Sequence, residues 1–216
     1  MRSLNPARRG ATMVETAVAS VGAVVLVGLV ATTMHRSNRV FEQTATVSEV
    51  DSVAQRAVER VAREFMDADR STLNMTPTTG PNAASFCRAT GYAAGALRIG
   101  ARRRIRFEYA PGETNDGRDQ NGNGLIDEGR IVLNDDVQTG AGREMVLVEN
   151  VAERLAGELE NGADDNGNGL VDENGLTLTY DATTFTLTLR LTLVRLQSDG
   201  SVLDRSAETT VRLRND

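Results

Sequence analysis

Cysteine occurs once in this chain, at Cys87, so no intrachain disulfide can staple the fold. The soluble part must hold together by packing, whatever its redox compartment. Histidine also occurs once, at His35, far along the chain from Cys87. A nucleophilic thiol needs a base within hydrogen-bond reach; without one, Cys87 reads as a buried or idle thiol. Positive charge is not in excess either. The formal net charge of −6 argues against a nucleic-acid surface. The one compact basic run, Arg102-Arg103-Arg104, leads into an alternating segment and reads as a solvated strand end. These absences leave no constellation centred on histidine or cysteine, and the chain reads as non-enzymatic.

Helix breakers are missing over a long stretch. No glycine or proline falls between Gly28 and Pro77. Within it, Val47, Val50, Ala54, Val58, Val61 and Phe65 recur at helical spacing. Glu49, Gln55, Arg56, Glu59, Arg60, Arg63 and Glu64 occupy the other face, with Glu59 and Arg63 spaced as a favourable helical ion pair. Charge is missing further upstream, where Thr16 to Met34 contains none. The pattern predicts one continuous helix from about Thr12 to about Asp69. Its first part is apolar all round and suits lipid or the core of an assembly. Its second part has one apolar stripe that must pack on something.

At the head of the uncharged run stands a single carboxylate, Glu15, behind the sequence Arg8-Arg9-Gly10-Ala11. A carboxylate at the bilayer centre costs about 2.5–3.5 kcal/mol on insertion scales, so such a group usually has a partner. If the chain is cut after Gly10, the new amine of Ala11 lies one helical turn from Glu15, and a neighbour's amine could neutralise it. A secretory signal peptide also has a basic start and an apolar run, but Leu29-Val30-Ala31 is a poor cleavage site for one. A plain single-pass anchor of about 20 residues remains open as well.

Arg8, Arg9, Gly10 and Glu15, followed by the apolar run Ala17 to Met34, resemble the N-terminus of type IV pilins and type II secretion pseudopilins. The family usually begins its mature chain with phenylalanine; here Ala11 would come first. Val53 to Asp69 also looks like the helix of minor pilins and pseudopilins of the J and W types. The resemblance implies a leader over 1–10, cut by a prepilin peptidase between Gly10 and Ala11, with N-terminal methylation. It implies a transmembrane or filament-core helix over 11–35 and an amphipathic continuation over 36–75. The partners it implies are other pilin or pseudopilin subunits and an inner-membrane assembly platform. The leader would face the cytoplasm and the globular domain the periplasm, before entry into a filament in the periplasm or at the cell surface. Glu15 would set register between subunits.

Beyond Pro77 the period changes. Thr76 to Gly100 is rich in small residues and supports no assignment. Ile105 to Tyr109, Arg130 to Leu133 and Met145 to Val151 read as strands, as do Thr177 to Tyr180, Thr184 to Leu196 and Ala207 to Leu213. In the longest, Phe185, Leu187, Leu189, Leu191 and Leu193 alternate with Thr186, Thr188, Arg190 and Thr192, one face to the core and one to solvent. The expected fold class is α+β, a long N-terminal helix packed on an antiparallel sheet, pilin-like, with a β-rich domain over 76–216.

That domain carries an internal repeat. Asp119-Gln120-Asn121-Gly122-Asn123-Gly124-Leu125-Ile126-Asp127-Glu128 recurs as Asp164-Asp165-Asn166-Gly167-Asn168-Gly169-Leu170-Val171-Asp172-Glu173, within loops at 113–130 and 160–175. Oxygen-bearing side chains fall as in the first part of an EF-hand calcium loop, with glycine at the sharp turn. Asp119, Asn121, Asn123, the Leu125 carbonyl and Asp127 are expected around one Ca²⁺. Asp164, Asn166, Asn168, the Leu170 carbonyl and Asp172 are expected around another. Arg130 and Gly175 stand where an EF-hand has its closing bidentate glutamate, so Glu128 and Glu173, or Asp116 and Glu160, are candidates to complete the shells. Two asparagine–glycine turns that bind nothing are the competing reading. On the function, two readings stand: a minor pilin or pseudopilin, or a membrane-anchored calcium-dependent adhesion module that never polymerises.

Overall fold

The computed structural model describes residues 12–75 and 82–215, without the side chains of 38–40 and 42–43. Gly10 and Ala11 lie outside the described residues. The chain divides into two units, Met1–Thr46 and Val47–Asp216.

Helix α1 runs over Met13–Met66, as the missing breakers predict. In the first unit its segment Met13–Ser37 is long and apolar enough to cross a membrane. Its valines and leucines, from Val14 to Val30, lie exposed. Its hydroxyl residues turn back on the helix: Ser20 donates to the Ala17 carbonyl at 2.8 Å and Thr33 to that of Leu29 at 2.8 Å. Those bonds satisfy the hydroxyls internally, which lowers the cost of placing them in an apolar medium.

In the second unit the rest of α1 buries the expected stripe. Val50, Ala54, Val58, Val61 and Phe65 are buried, joined by Ala57 and Ala62. The Glu59 carboxylate takes the Gln55 amide at 3.2 Å. The longer-range ion pairs run to the sheet instead: Arg103–Glu64 at 2.9 Å, Arg195–Glu49 at 2.9 Å and Arg205–Asp51 at 3.2 Å. The arginine run is therefore not simply a solvated strand end. Arg103 holds Glu64, and Arg102 donates to the Thr72 carbonyl at 3.2 Å.

The helix stops at Met66, about three residues before the expected end. The following backbone is claimed by the sheet: Asp69 N–H donates to the Cys87 carbonyl and Ala89 N–H to that of Asp67, both at 2.8 Å. A short 3₁₀ turn, Arg70–Thr72, follows, capped by the Asp69 side chain.

Among the described residues the strands are β1 (Asn74–Met75), β2 (Ala83–Ala93), β3 (Ala96–Tyr109), β4 (Gly129–Asn134), β5 (Glu144–Val151), β6 (Leu176–Asp181), β7 (Thr186–Leu196) and β8 (Val202–Arg212). They form one sheet in the order β1-β2-β3-β4-β5-β7-β6, with β8 along the other side of β7. Every pairing between them is antiparallel. The α+β class is thus as expected. Strand β2 occupies the stretch that supported no assignment; Ala84 and Phe86 enter the core while Ala83 and Cys87 are buried on the other face, and alanine carries little strand signal.

One core joins the two layers. Val58, Val61 and Phe65 of α1 cluster with Phe86, Ile105, Ile131, Leu133, Leu176, Leu189 and Leu191 of the sheet. The Phe65 and Phe86 ring centroids are 4.7 Å apart. On β7 the leucine face is buried as expected, but the threonine face is not all solvated. Thr192 is fully buried: its hydroxyl oxygen accepts the Ala156 N–H at 3.1 Å and shares a hydrogen with Ser206 at 2.7 Å. The segment after β5 therefore covers part of that face.

Phe65→Ala removes a fully buried ring from the joint between the layers. It is expected to destabilise the β-rich unit by about 3–5 kcal/mol. Urea unfolding of the full-length chain in detergent, followed by far-UV circular dichroism, measures this. Phe41→Ala, on an exposed ring, serves as the control and is expected to change little.

Candidate functional site

Two places carry the residues singled out by sequence. The first is the start of α1. The Glu15 carboxylate accepts the Thr12 N–H at 2.7 Å and the Thr12 hydroxyl at 3.1 Å, and the Thr12 oxygen accepts the Glu15 N–H at 3.3 Å. This is a reciprocal capping box, with each side chain satisfying the other's backbone donor. The signal lay in the spacing Thr12-x-x-Glu15 and was missed beside the charge argument. Glu15 thus has a local partner in the single chain. The box uses one carboxylate oxygen, and a carboxylate has about four lone-pair sites, so room for a second partner remains.

The second place is the pair of repeat loops. Loop 1 joins β3 to β4 and loop 2 joins β5 to β6. Gly129, where loop 1 ends, pairs with Val151, where loop 2 begins, so the two loops share one end of the sheet. In loop 1 the Asp119 carboxylate accepts N–H groups from Gly122 at 2.6 Å, Asn123 at 3.2 Å and Gly124 at 2.7 Å. Asn121 Oδ1 accepts from Asn123 and Asn123 Oδ1 from Leu125, at 3.0 and 2.8 Å. Loop 2 repeats this. Asp164 accepts from Gly167, Asn168 and Gly169, Asn166 Oδ1 from Asn168, and Asn168 Oδ1 from Leu170. The alternating oxygens thus fold each loop on itself. A side chain at Gly124 would meet Leu196 Cδ2 at 2.6 Å, and its φ of +85° also favours glycine.

The aspartates at the end of the repeat sit elsewhere. Both Asp127 oxygens accept backbone N–H groups, from Asp116 at 3.2 Å and Gly117 at 2.8 Å. Asp172 does the same with Asn161 and Gly162. Both hold left-handed backbone, at φ 51° and 52°, a region aspartate tolerates better than most residues. They latch the repeat to the turn before it.

The glutamates next to them turn inward. Glu128 is 1% exposed and Glu173 1% exposed. Glu128 Oε1 accepts the side-chain amides of Asn121 and Asn123 at 2.9 and 2.7 Å. Glu173 Oε1 accepts that of Asn168 at 2.5 Å. A second buried pair comes from upstream. Glu113 Oε1 accepts the N–H groups of Gln120 and Asn121 at 3.0 and 2.8 Å, and Glu158 Oε1 accepts that of Asn166 at 3.0 Å. Sequence reasoning missed Glu113 and Glu158. Their signal was the repeat itself, which extends upstream as Gly112-Glu113 and Gly157-Glu158.

Chemically, these loops offer oxygen only. Among the described residues no three acidic, histidine or cysteine side chains converge to hold a metal by themselves. An ion here would take at most two carboxylates and fill its shell from amide, carbonyl and water oxygens, which suits calcium with its six to eight ligands.

Between the loops lies Tyr109, whose hydroxyl donates to Glu153 Oε1 at 2.9 Å. Burial, then the Glu153 carboxylate and the charge of Asp127, push its phenol up to about 12. The folded value exceeds the ordinary 10.0, so the stability this group contributes is complete below pH 10.0 and is lost as pH rises through about 12. Ultraviolet titration should show a tyrosine step near pH 12 that Tyr109→Phe removes. The same variant should flatten the alkaline limb of the stability curve.

No family model, no curated protein and no solved structure matches this chain.

Proposed function

We propose that the protein is a membrane-anchored subunit of a pilus or type II secretion-type filament, a minor pilin or pseudopilin processed after Gly10. The observation that carries this reading is the division of α1. Met13–Ser37 keeps its apolar surface exposed behind one carboxylate, while the apolar stripe from Val50 to Phe65 is buried under the chain's own sheet. An apolar surface that the fold itself leaves bare needs lipid before assembly and neighbouring helices after it. In that packed core Glu15 would meet the Ala11 amine of a neighbour. The subunit is structural, with a leader left in the cytoplasm and the globular domain outside the inner membrane. Calcium would pin the two repeat loops.

One observation favours the second reading, an anchored calcium-dependent adhesion module that never polymerises. The Thr12–Glu15 capping box already gives the carboxylate a partner within its own chain.

Mass spectrometry of the N-terminus from native membranes tests processing; the expected terminus is Ala11. An intact Met1, or cleavage near Ala31, would sink the filament reading. Substitution separates the two roles of Glu15. Glu15→Ala is expected to insert normally yet fail to enter filaments. Thr12→Ala removes the cap at a cost of about 1 kcal/mol but keeps the carboxylate, and should co-assemble. Equal loss in both variants would make Glu15 a capping residue only.

Calcium is expected to raise the melting temperature of the full-length chain in detergent by several degrees at millimolar concentration, since a ligand of the folded state alone stabilises it. Magnesium should do less, because it demands a tighter octahedral shell. Asp119→Ala with Asp164→Ala takes away the acceptors that fold each repeat on itself and should remove most of the gain. Indifference to calcium would mean that the repeats are turns and nothing more.

A further inference from the structure

The strongest unexplained feature of the molecule is a set of buried carboxylate oxygens without hydrogen-bond partners. Among the described residues they are Glu113 Oε2, Glu128 Oε2 and Glu173 Oε2. All three lie in the repeat loops. Their side chains are nearly solvent-free, with residue exposures of 6%, 1% and 1%. In each group the sister oxygen is held by donors from the loop itself, so the carboxylate is fixed inside the loop rather than turned to water. Glu113 and Glu128 even share a residue: one accepts the Asn121 N–H at 2.8 Å, the other its side-chain amide at 2.9 Å.

Two carboxylates fixed around one residue, each with an oxygen unpaired, is an expensive arrangement. An ionised carboxylate out of water costs several kcal/mol, and neutral amide donors offset only part of this. Like charges close together add repulsion. A divalent cation removes both penalties at once. Asp127 and Asp172 are differently placed: both oxygens of each are already taken by backbone N–H groups of the preceding turn.

We propose that the charged ligands of the calcium sites are the buried glutamates with an unpaired oxygen, Glu113 with Glu128 in loop 1 and Glu173 in loop 2, and that Asp127, Asp172 and Glu158, whose oxygens are both taken, are latches rather than ligands. This rests on the reading of the loops as calcium loops and assigns the residues that make them so. Loop 1 is the tighter site. Both its glutamates keep a free oxygen, whereas Glu158 Oε2 in loop 2 already accepts the Asp172 N–H at 3.2 Å. Loop 2 also carries a half-buried cation of its own. Arg154 donates to the Asp172 carbonyl at 3.0 Å and pairs with Glu160 at 2.7 Å.

The test is calorimetric calcium titration of the full-length, chelator-stripped protein in detergent, with melting curves in EDTA and in calcium. Wild type is expected to bind two ions with unequal affinity. Glu113→Gln with Glu128→Gln should lose the tighter site, weakening it by about tenfold or more. The same variant should melt higher than wild type in EDTA, because a buried charge has been removed, and should gain less from calcium. Asp127→Asn should melt lower in both conditions yet keep two ions. If the glutamine pair binds as wild type does, or Asp127→Asn loses the site while the pair keeps it, the assignment is overturned and the calcium reading stands. If wild type binds no calcium, both fall. Should the double variant not fold, Glu128→Gln alone gives the same comparison.

Discussion

The apolar stripe from Val50 to Phe65 has to be covered, and most of the second unit is the means of covering it. A helix with one bare apolar face is not stable alone in water. Here the face meets β2, β3, β4, β6 and β7 in a single core that includes Phe86, Ile105, Ile131, Leu178 and Leu189. Arg103, Arg195 and Arg205 then reach from the strands to Glu64, Glu49 and Asp51, which lie beside the buried stripe. Exposed pairs of this kind contribute little energy each. Spread along the helix, they fix its rotation over the sheet.

The same helix shows why some of this was legible in the sequence and some was not. Its extent was readable because the physics is local: no breaker, one stripe, and then no charge at all. Its last turn was not, because Ala68 and Asp69 are drawn into β bridges by Arg88 and Asn215, far along the chain. Strand β7 was readable from alternating leucine and threonine. Strand β2 was hidden by alanine and glycine, whose placement in a strand is decided by neighbours such as β3 rather than by their own preference. The burial of Thr192 was equally invisible, since the backbone of Ala156 that it receives arrives from another segment.

The repeat loops were half legible for the same reason. The alternation of oxygens at Asp119, Asn121 and Asn123 predicts a loop folded on itself, and these side chains do bond its backbone. Which carboxylates lie inside is a property of the whole turn. Asp127 and Glu128 are adjacent and chemically alike. The left-handed backbone at Asp127 sends one to the preceding turn and the other to the asparagine amides. No pattern of residue types separates them without that backbone.

The two loops are also not independent. Loop 1 ends where loop 2 begins, across the β4–β5 pairing, and Tyr109 of β3 bonds Glu153 at the entrance of loop 2. A fully buried Thr192 then ties the next residues, through Ala156, to β7. The backbone N–H of Gly175, at the exit of loop 2, donates to the Glu153 carbonyl, and a side chain at Gly175 would overlap the Ala152 carbonyl oxygen. Entry and exit of that loop are thus clamped together. Glycine-rich chain held at both ends has little freedom left to relieve repulsion among its carboxylates by swinging apart. A closed loop with buried, half-satisfied glutamates is poor design for stability alone, since glutamine would fill the same space without charge. It is the arrangement that the proposed cation at this end of the sheet would complete.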